Sequence, residues 1–373
     1  MSDERLLSAF LDLVRFASPP GFEKITAEYC ERALAEAGCR VWYDAAAEET
    51  GSDVGNLIAE LPGTVPGVLA LSAHMDVVEP CHGIEPVVTD GIVHSAGPTI
   101  LGADDRSGLA AAIETVRRLA EGSAPHPTVR LVFTVQEEVG LHGAKHLRAE
   151  DVACDLCLVL DAEGTPGGIV VGAPTHYTFA AEFHGHAAHA GVCPEQGISA
   201  IRMAADAIAS MELGRLDART TANVGTIKGG RATNVITARC DITGECRSLD
   251  RERVERVKVS MDDVLHLSAE KFGGTVDVLW NLEYEGFEFA EDGAEVALVS
   301  QAIRDAGCVP STYRTGGGSD ANVLAGLGVP TLALACGMRG VHGTEEQIAV
   351  ADLEAITRIC VAVALRMARS AEA

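Results

Sequence analysis

Four short apolar runs constrain this chain more than any other feature: residues 67–73, 129–135, 157–160 and 331–335, each bounded by turn residues. Runs of that length without polar alternation read as strands buried on both faces, the pattern found at the centre of an α/β sheet. Helical spacing separates several of them. Residues 4–16 and 23–37 carry apolar side chains at helical intervals on either side of the breaker Pro19-Pro20-Gly21, and an Ala-rich helical pattern covers 107–120. Between about 178 and 287 the pattern changes to alternating strands, at 178–183 and 235–245, with helices around 199–211 and 251–272. The expected fold class is α/β: a mixed-sheet main domain with helices on both faces, built from 1–176 and 289–373, and a smaller inserted α+β domain at 177–288.

A chain of 373 residues with 47% hydrophobic content can fill two cores, and its charge narrows its partners. With 29 basic and 54 acidic residues the formal charge is −25, and no Lys/Arg cluster of the kind that binds phosphate occurs. Nucleic acid and anionic membranes are therefore not expected partners. The sequence opens without a long apolar stretch, so neither a signal peptide nor a membrane span is indicated, and a cytoplasmic location is expected. Eleven cysteines without a repeating framework read as reduced thiols.

Each apolar run stops at candidate metal ligands. The first leads into His74-Met75-Asp76, the second into Glu137-Glu138, the third into Asp161, and the fourth, after a short loop, into His342. Asp104 joins them from Gly102-Ala103-Asp104-Asp105, just before the Ala-rich helix. Ligands of open α/β sheets gather outside the carboxyl ends of the strands, so these positions converge. Each residue also has an ordinary reading: Asp104 or Asp105 could serve only as an N-cap, and strand-end carboxylates are commonly solvated. Two histidines with four or five carboxylates are a different matter. Gathered at short range, the acids repel and raise one another's pKa, and divalent cations resolve the repulsion.

In this order, His74-x-Asp76, Gly102-Ala103-Asp104-Asp105, Glu137-Glu138, Asp161 and His342 resemble the signature of the glutamate carboxypeptidase, acetylornithine deacetylase and peptidase T superfamily. The likeness spans nearly the whole chain, including Gly185-His186-Ala187-Ala188-His189-Ala190-Gly191 and Gly316-Gly317-Gly318-Ser319-Asp320-Ala321-Asn322. Leu101-Gly-Ala-Asp-Asp-Arg-Ser-Gly, Gly191-Val-Cys-Pro-Glu and the triple-glycine run look nearest to peptidase T-like zinc tripeptidases.

The resemblance implies two Zn2+ per subunit, replaceable by Mn2+ or Co2+, with Asp104 bridging them. His74 and Asp161 would complete one site, Glu138 and His342 the other. Asp76 would orient the His74 imidazole, since two residues along a strand return to the same side. Glu137 would be the general base. Adjacent side chains on an extended strand diverge, so a turn must re-aim Glu137 and Glu138 to give them separate tasks. The inserted domain would act as lid and dimerisation domain, with His189 reaching across a homodimer interface to the partner's oxyanion. Asn234, Arg247 and the backbone at Gly317 and Gly318 would contact a small peptide substrate. The Arg247 fork suits a carboxylate, and a structural ion pair is its alternative role. The family also carries a cis peptide after the bridging Asp.

Other features carry less. The glycine run lacks the lysine of a nucleotide loop, Cys154-x-x-Cys157 has no second pair to complete a zinc site, His82, His94, His142 and His146 stay unassigned, and His186, three residues before His189 at a position the family leaves variable, reads as ordinary surface. Arg106 stands where the family often has Lys, and Gln136 precedes the Glu pair where other residues occur. The expected activity is release of the N-terminal residue from tripeptides. Alternatives are a carboxypeptidase or N-acyl-amino-acid deacylase of the same superfamily, and a catalytically silent metal-binding domain, which would lack Glu137 or a ligand.

Overall fold

The computed structural model describes residues 2–371, and the four apolar runs are its central strands: Val68–His74, Thr128–Thr134, Leu156–Ala162 and Thr331–Ala335. All four run parallel. Thr128–Thr134 pairs with Val68–His74, which pairs with Leu156–Ala162, which pairs with Thr331–Ala335. Parallel pairing brings their carboxyl ends to one edge of the sheet. Every residue from Leu69 to His74 and from Leu156 to Leu160 is buried, so both faces are covered, as runs without alternation require. Antiparallel strands flank this centre: Leu57–Leu61 and then Arg40–Tyr43 on one side, Gly168–Ala173 on the other. The sheet is therefore mixed.

The helix Ala103–Glu121 passes behind the strand ends, buried at every position from Ala103 to Val116. It begins earlier than the spacing at 107–120 suggests. Gly102 precedes it with φ +73°, and Asp104 and Asp105 depart from helical geometry inside its first turn, which hid the start from a periodicity reading. Small side chains let it lie close to the sheet: a Cβ at Gly108 would stand 2.6 Å from the Leu160 carbonyl oxygen and 2.4 Å from Asp105 Oδ1.

The chain divides into two compact units, one of Met1–Val171, Phe289–Arg314 and Ser319–Ala373, the other of Gly172–Glu288 and Thr315–Gly318. The first crossing falls at Val171 instead of after 176, and Thr315–Gly318 groups with the second unit. That unit is an antiparallel sheet in the order Gly214–Asp217, Thr220–Gly229, Arg239–Ser248, Thr175–His184, Thr275–Tyr284. Its inner face is covered by the helices Ala200–Ser210 and Arg251–Lys271. Both helices are capped from their own sequence, by Ser199 accepting from the Arg202 N–H and Asp250 accepting from the Arg253 N–H at 3.0 Å. The run 235–245 is not one strand. Val235–Ile236 pairs with Ala188–His189, whereas Arg239–Ser248 pairs with Thr175–His184, so the change of partner breaks it. All eleven cysteines are free, and among the described residues no helix is long and apolar enough to cross a membrane.

Candidate metal centre

His74 ends its strand with the ring buried. Its Nδ1 lies 3.0 Å from the Asp76 carbonyl oxygen and 3.3 Å from Asp76 Oδ1, so that nitrogen carries a proton. Nε2 then faces Asp104 Oδ1 at 3.1 Å and Asp161 Oδ1 at 3.8 Å. On the other side of Asp104, Oδ2 is 3.2 Å from His342 Nε2, which also lies 3.0 Å from Glu138 Oε2. Asp104 is thus common to two groups, His74–Asp104–Asp161 and Asp104–Glu138–His342, in each of which the potential ligand atoms lie within 4.8 Å of one another.

The backbone explains how neighbouring residues reach this point. The Asp104–Asp105 peptide is cis. Asp105 turns inward, its Oδ1 accepting from the Gly108 N–H at 2.9 Å and Oδ2 from the His74 N–H at 3.3 Å. After Thr134 four successive N–H groups are taken by side-chain oxygens: Val135 by Asn56 (3.1 Å), Gln136 by Glu23 (3.1 Å), Glu137 by Asp76 Oδ1 (3.0 Å) and Glu138 by Asp76 Oδ2 (3.1 Å). Gln136 adopts a left-handed φ of +52°. This is the turn that the adjacent glutamates require, and its physical anchor is the set of side-chain oxygens that accept its N–H groups, since a buried N–H left without a partner is costly. Asp76 therefore holds the His74 ring and the Glu137-Glu138 backbone with one carboxylate. Arg106, fully buried, donates to the Met75 carbonyl at 2.6 Å and to Ser18 Oγ beneath the same segment.

Electrostatics in this cluster follow from confinement. Burial pushes the Asp161 carboxyl well above its ordinary pKa, and the Asp104 charge pushes it further. Burial likewise raises Glu137; the His74 charge pulls it back, while Asp320 and Glu138 add to the rise. Burial opposes charging of His74, but its bonds to Asp104 and Asp76 outweigh it, so the imidazole is pushed upward. His342 rises to about 10 through its bonds to Asp104 and Glu138. Such a cluster demands positive charge. Glu138 Oε1 is buried without a hydrogen-bond partner, an orphaned acceptor beside His342 that a cation would satisfy. Imidazole nitrogen and carboxylate oxygen suit Zn2+, Mn2+ or Co2+. The residues fit a pair of divalent cations.

A family model described as peptidase family M20/M25/M40 matches residues 70–366, a span that contains every residue of this cluster. The chain belongs to that family. The M20 chain is 38% identical over 364 residues to the Bacillus subtilis (strain 168) protein YqjE, covering 97% of this chain and 98% of that protein. It superposes on the crystal structure of aminopeptidase PepT from Bacillus cereus ATCC 10987 with a TM-score of 0.92 and 41% identity, covering 98% and 99% of the two chains. A tripeptidase from Staphylococcus aureus subsp. aureus Mu50 gives a TM-score of 0.94 at 36% identity, with the same coverage.

Within the second unit of this M20 chain, Arg247 donates to Glu245 Oε2 at 2.9 Å, to the Tyr284 hydroxyl at 3.4 Å and to the Gly316 carbonyl at 3.5 Å. The structural ion pair weighed for Arg247 is present, yet its Nε is buried without a partner. The bond from His176 holds the Glu245 carboxyl down at about 2, with Arg247 assisting against burial. Gly318 is needed beside Tyr284, since a Cβ there would stand 2.2 Å from the ring. His189 and Asn234 are exposed on the short Ala188–His189 ladder, where the Asn234 carbonyl accepts from the Ala190 N–H at 2.9 Å.

Two residues near the centre escaped the sequence reading. Asp320 is buried with its carboxyl pushed up to about 6 by burial; Thr134 donates to its Oδ2, and its Oδ1 has no partner. Glu346 is buried against the loop that carries Asp104. Asp320 stood in view beside the glycine run, but Glu346 left no spacing signal. Glu79, Cys81 and His82 also offer three ligand atoms within 4.8 Å, on a loop where Glu79 and His82 are exposed.

Adding Zn2+, Mn2+ or Co2+ to chelator-treated protein should raise its midpoint of thermal unfolding by several degrees, because a ligand at about 100 times Kd stabilises by about 2.7 kcal/mol. Scanning calorimetry checks this, and a midpoint indifferent to every divalent cation contradicts the fit.

Proposed function

We propose that this chain is a two-metal aminopeptidase that releases the N-terminal residue of tripeptides. The observation that carries the reading is the single Asp104 carboxylate shared by two ligand groups, with Glu137 fixed in the adjoining turn. Full-length similarity to PepT and to a tripeptidase supports the substrate class. His74, Asp104 and Asp161 would hold one Zn2+, and Asp104, Glu138 and His342 the other, with Mn2+ or Co2+ as substitutes. Bound there, the cations supply Lewis acidity to the scissile carbonyl and acidify the attacking water.

The chain's own residues do the rest. Glu137 accepts the proton of the attacking water and returns it to the amine nitrogen as the peptide bond breaks, so atoms and charge balance without a covalent acyl-enzyme. Asp76 keeps His74 in the tautomer whose Nε2 lone pair faces Asp104 and Asp161, where it would be free to hold a cation, and fixes the backbone N–H groups of Glu137 and Glu138. Arg247, steadied by Glu245, takes the substrate carboxylate, with Asn234 and the backbone at Gly317 and Gly318 placing the peptide. His189 serves the site of a partner subunit in a homodimer, stabilising the developing oxyanion. Free thiols throughout the chain support a cytoplasmic setting.

Metal-reconstituted protein should hydrolyse a free tripeptide faster than its N-acetylated form or an N-acyl amino acid. A preference for the blocked amine would replace this reading with a deacylase or carboxypeptidase.

Glu137→Gln should lower kcat by about 10²–10⁴-fold with unchanged metal content. A Gln variant of normal activity would remove Glu137 as the base. Mixing Glu137→Gln with His189→Ala chains under subunit exchange should restore part of the activity, and no recovery from verified mixed dimers would exclude His189 acting in the partner's site.

A further inference from the structure

We infer that Glu346 is a positioning residue that ties the Asp104 loop to the His342 loop and thereby sets the cation position shared by Asp104, Glu138 and His342. The inference rests on the ligand assignment proposed above.

Glu346 is 1% exposed, and its carboxylate accepts three backbone N–H groups: Leu101 at 2.9 Å and Gly102 at 2.6 Å on Oε2, and Asp104 at 3.0 Å on Oε1. These peptides lead into the helix Ala103–Glu121, whose first turn leaves N–H groups without intrahelical partners and carries positive dipole charge. The N-cap residue is Gly102, which has no side chain to satisfy them. Glu346 supplies the missing acceptor from more than 240 residues away. A buried carboxylate that accepts at both oxygens from a ligand-bearing loop sets where that loop sits.

The other end of the link is the segment that carries His342. Arg339 and Gln347 exchange backbone hydrogen bonds at 3.1 and 3.0 Å, closing a loop with His342 near its tip, and Glu346 stands at its base. His342 has a left-handed φ of +62° and a half-exposed side chain whose Nε2 faces the carboxylates of Asp104 and Glu138. Its position relative to Asp104 therefore depends on how the two loops are joined, and the Glu346 carboxylate joins them. The opposite group is built differently. His74 and Asp161 lie on adjacent, directly paired strands, so the ladder itself fixes their separation. Loss of Glu346 should therefore act unequally on the two cation positions.

The test is metal titration of chelator-treated wild type, Glu346→Gln and Glu346→Ala by chelator competition, with the thermal midpoint and circular dichroism of each metal-free protein measured alongside. Gln preserves volume but must turn a donor toward donors, so it serves if the Ala variant does not fold. The expected result is one equivalent bound by Glu346→Gln with near wild-type affinity and the second weakened about 10–100-fold, the range for partners that orient a metal ligand. Glu346→Asp, which keeps the acceptors, should recover part of that loss. Two equivalents bound as in wild type overturn the inference. Equal weakening of both, accompanied by a lowered metal-free midpoint, also overturns it, because that is the mark of a general structural role. If wild type itself binds fewer than two equivalents, the ligand assignment fails and this inference falls with it.

Discussion

Asp104 presents its two oxygens in opposite directions, one 3.1 Å from His74 and one 3.2 Å from His342, and the surrounding structure is organised by the repulsion that this arrangement must contain. Asp161, Glu137 and Asp320 crowd the same volume, and burial acts against their charged forms. Carboxylates held this closely are stable only with compensating positive charge and tightly fixed backbones. The parallel sheet supplies the first part of that fixing by bringing four strand ends to one edge, and the buried helix behind them brings Asp104.

Further fixing comes from acids that touch no proposed cation. Asp76 occupies both oxygens with the N–H groups of Glu137 and Glu138, and Glu346 occupies both of its own with the peptides around Gly102 and Asp104. Buried carboxylates are costly unless fully hydrogen-bonded, and here the bonds that satisfy them are the ones that aim the ligands. The second unit uses a related device, with Glu245 held ionised between His176 and Arg247 so that the guanidinium stays in place.

Much of the fold was legible because buried parallel strands announce themselves as uninterrupted apolar runs; all four were placed within two residues of their true ends. Periodicity failed where geometry is irregular. The first turn of the Asp104 helix is kinked, and the run 235–245 changes partner midway, neither of which alters the hydrophobic pattern. At the candidate site, the residues that gather around Asp104 were visible as polar endings to apolar runs. Glu346 was not, because its partners are backbone N–H groups far away in sequence, and backbone atoms leave no residue-specific trace.

Diffraction from crystals grown with Zn2+ or Mn2+, recorded at the metal absorption edge, addresses the central claim directly. The account predicts two anomalous peaks on either side of the Asp104 carboxylate, one touching His74 and Asp161, the other Glu138 and His342. A lone peak, or peaks that leave Asp104 uncoordinated, would contradict it.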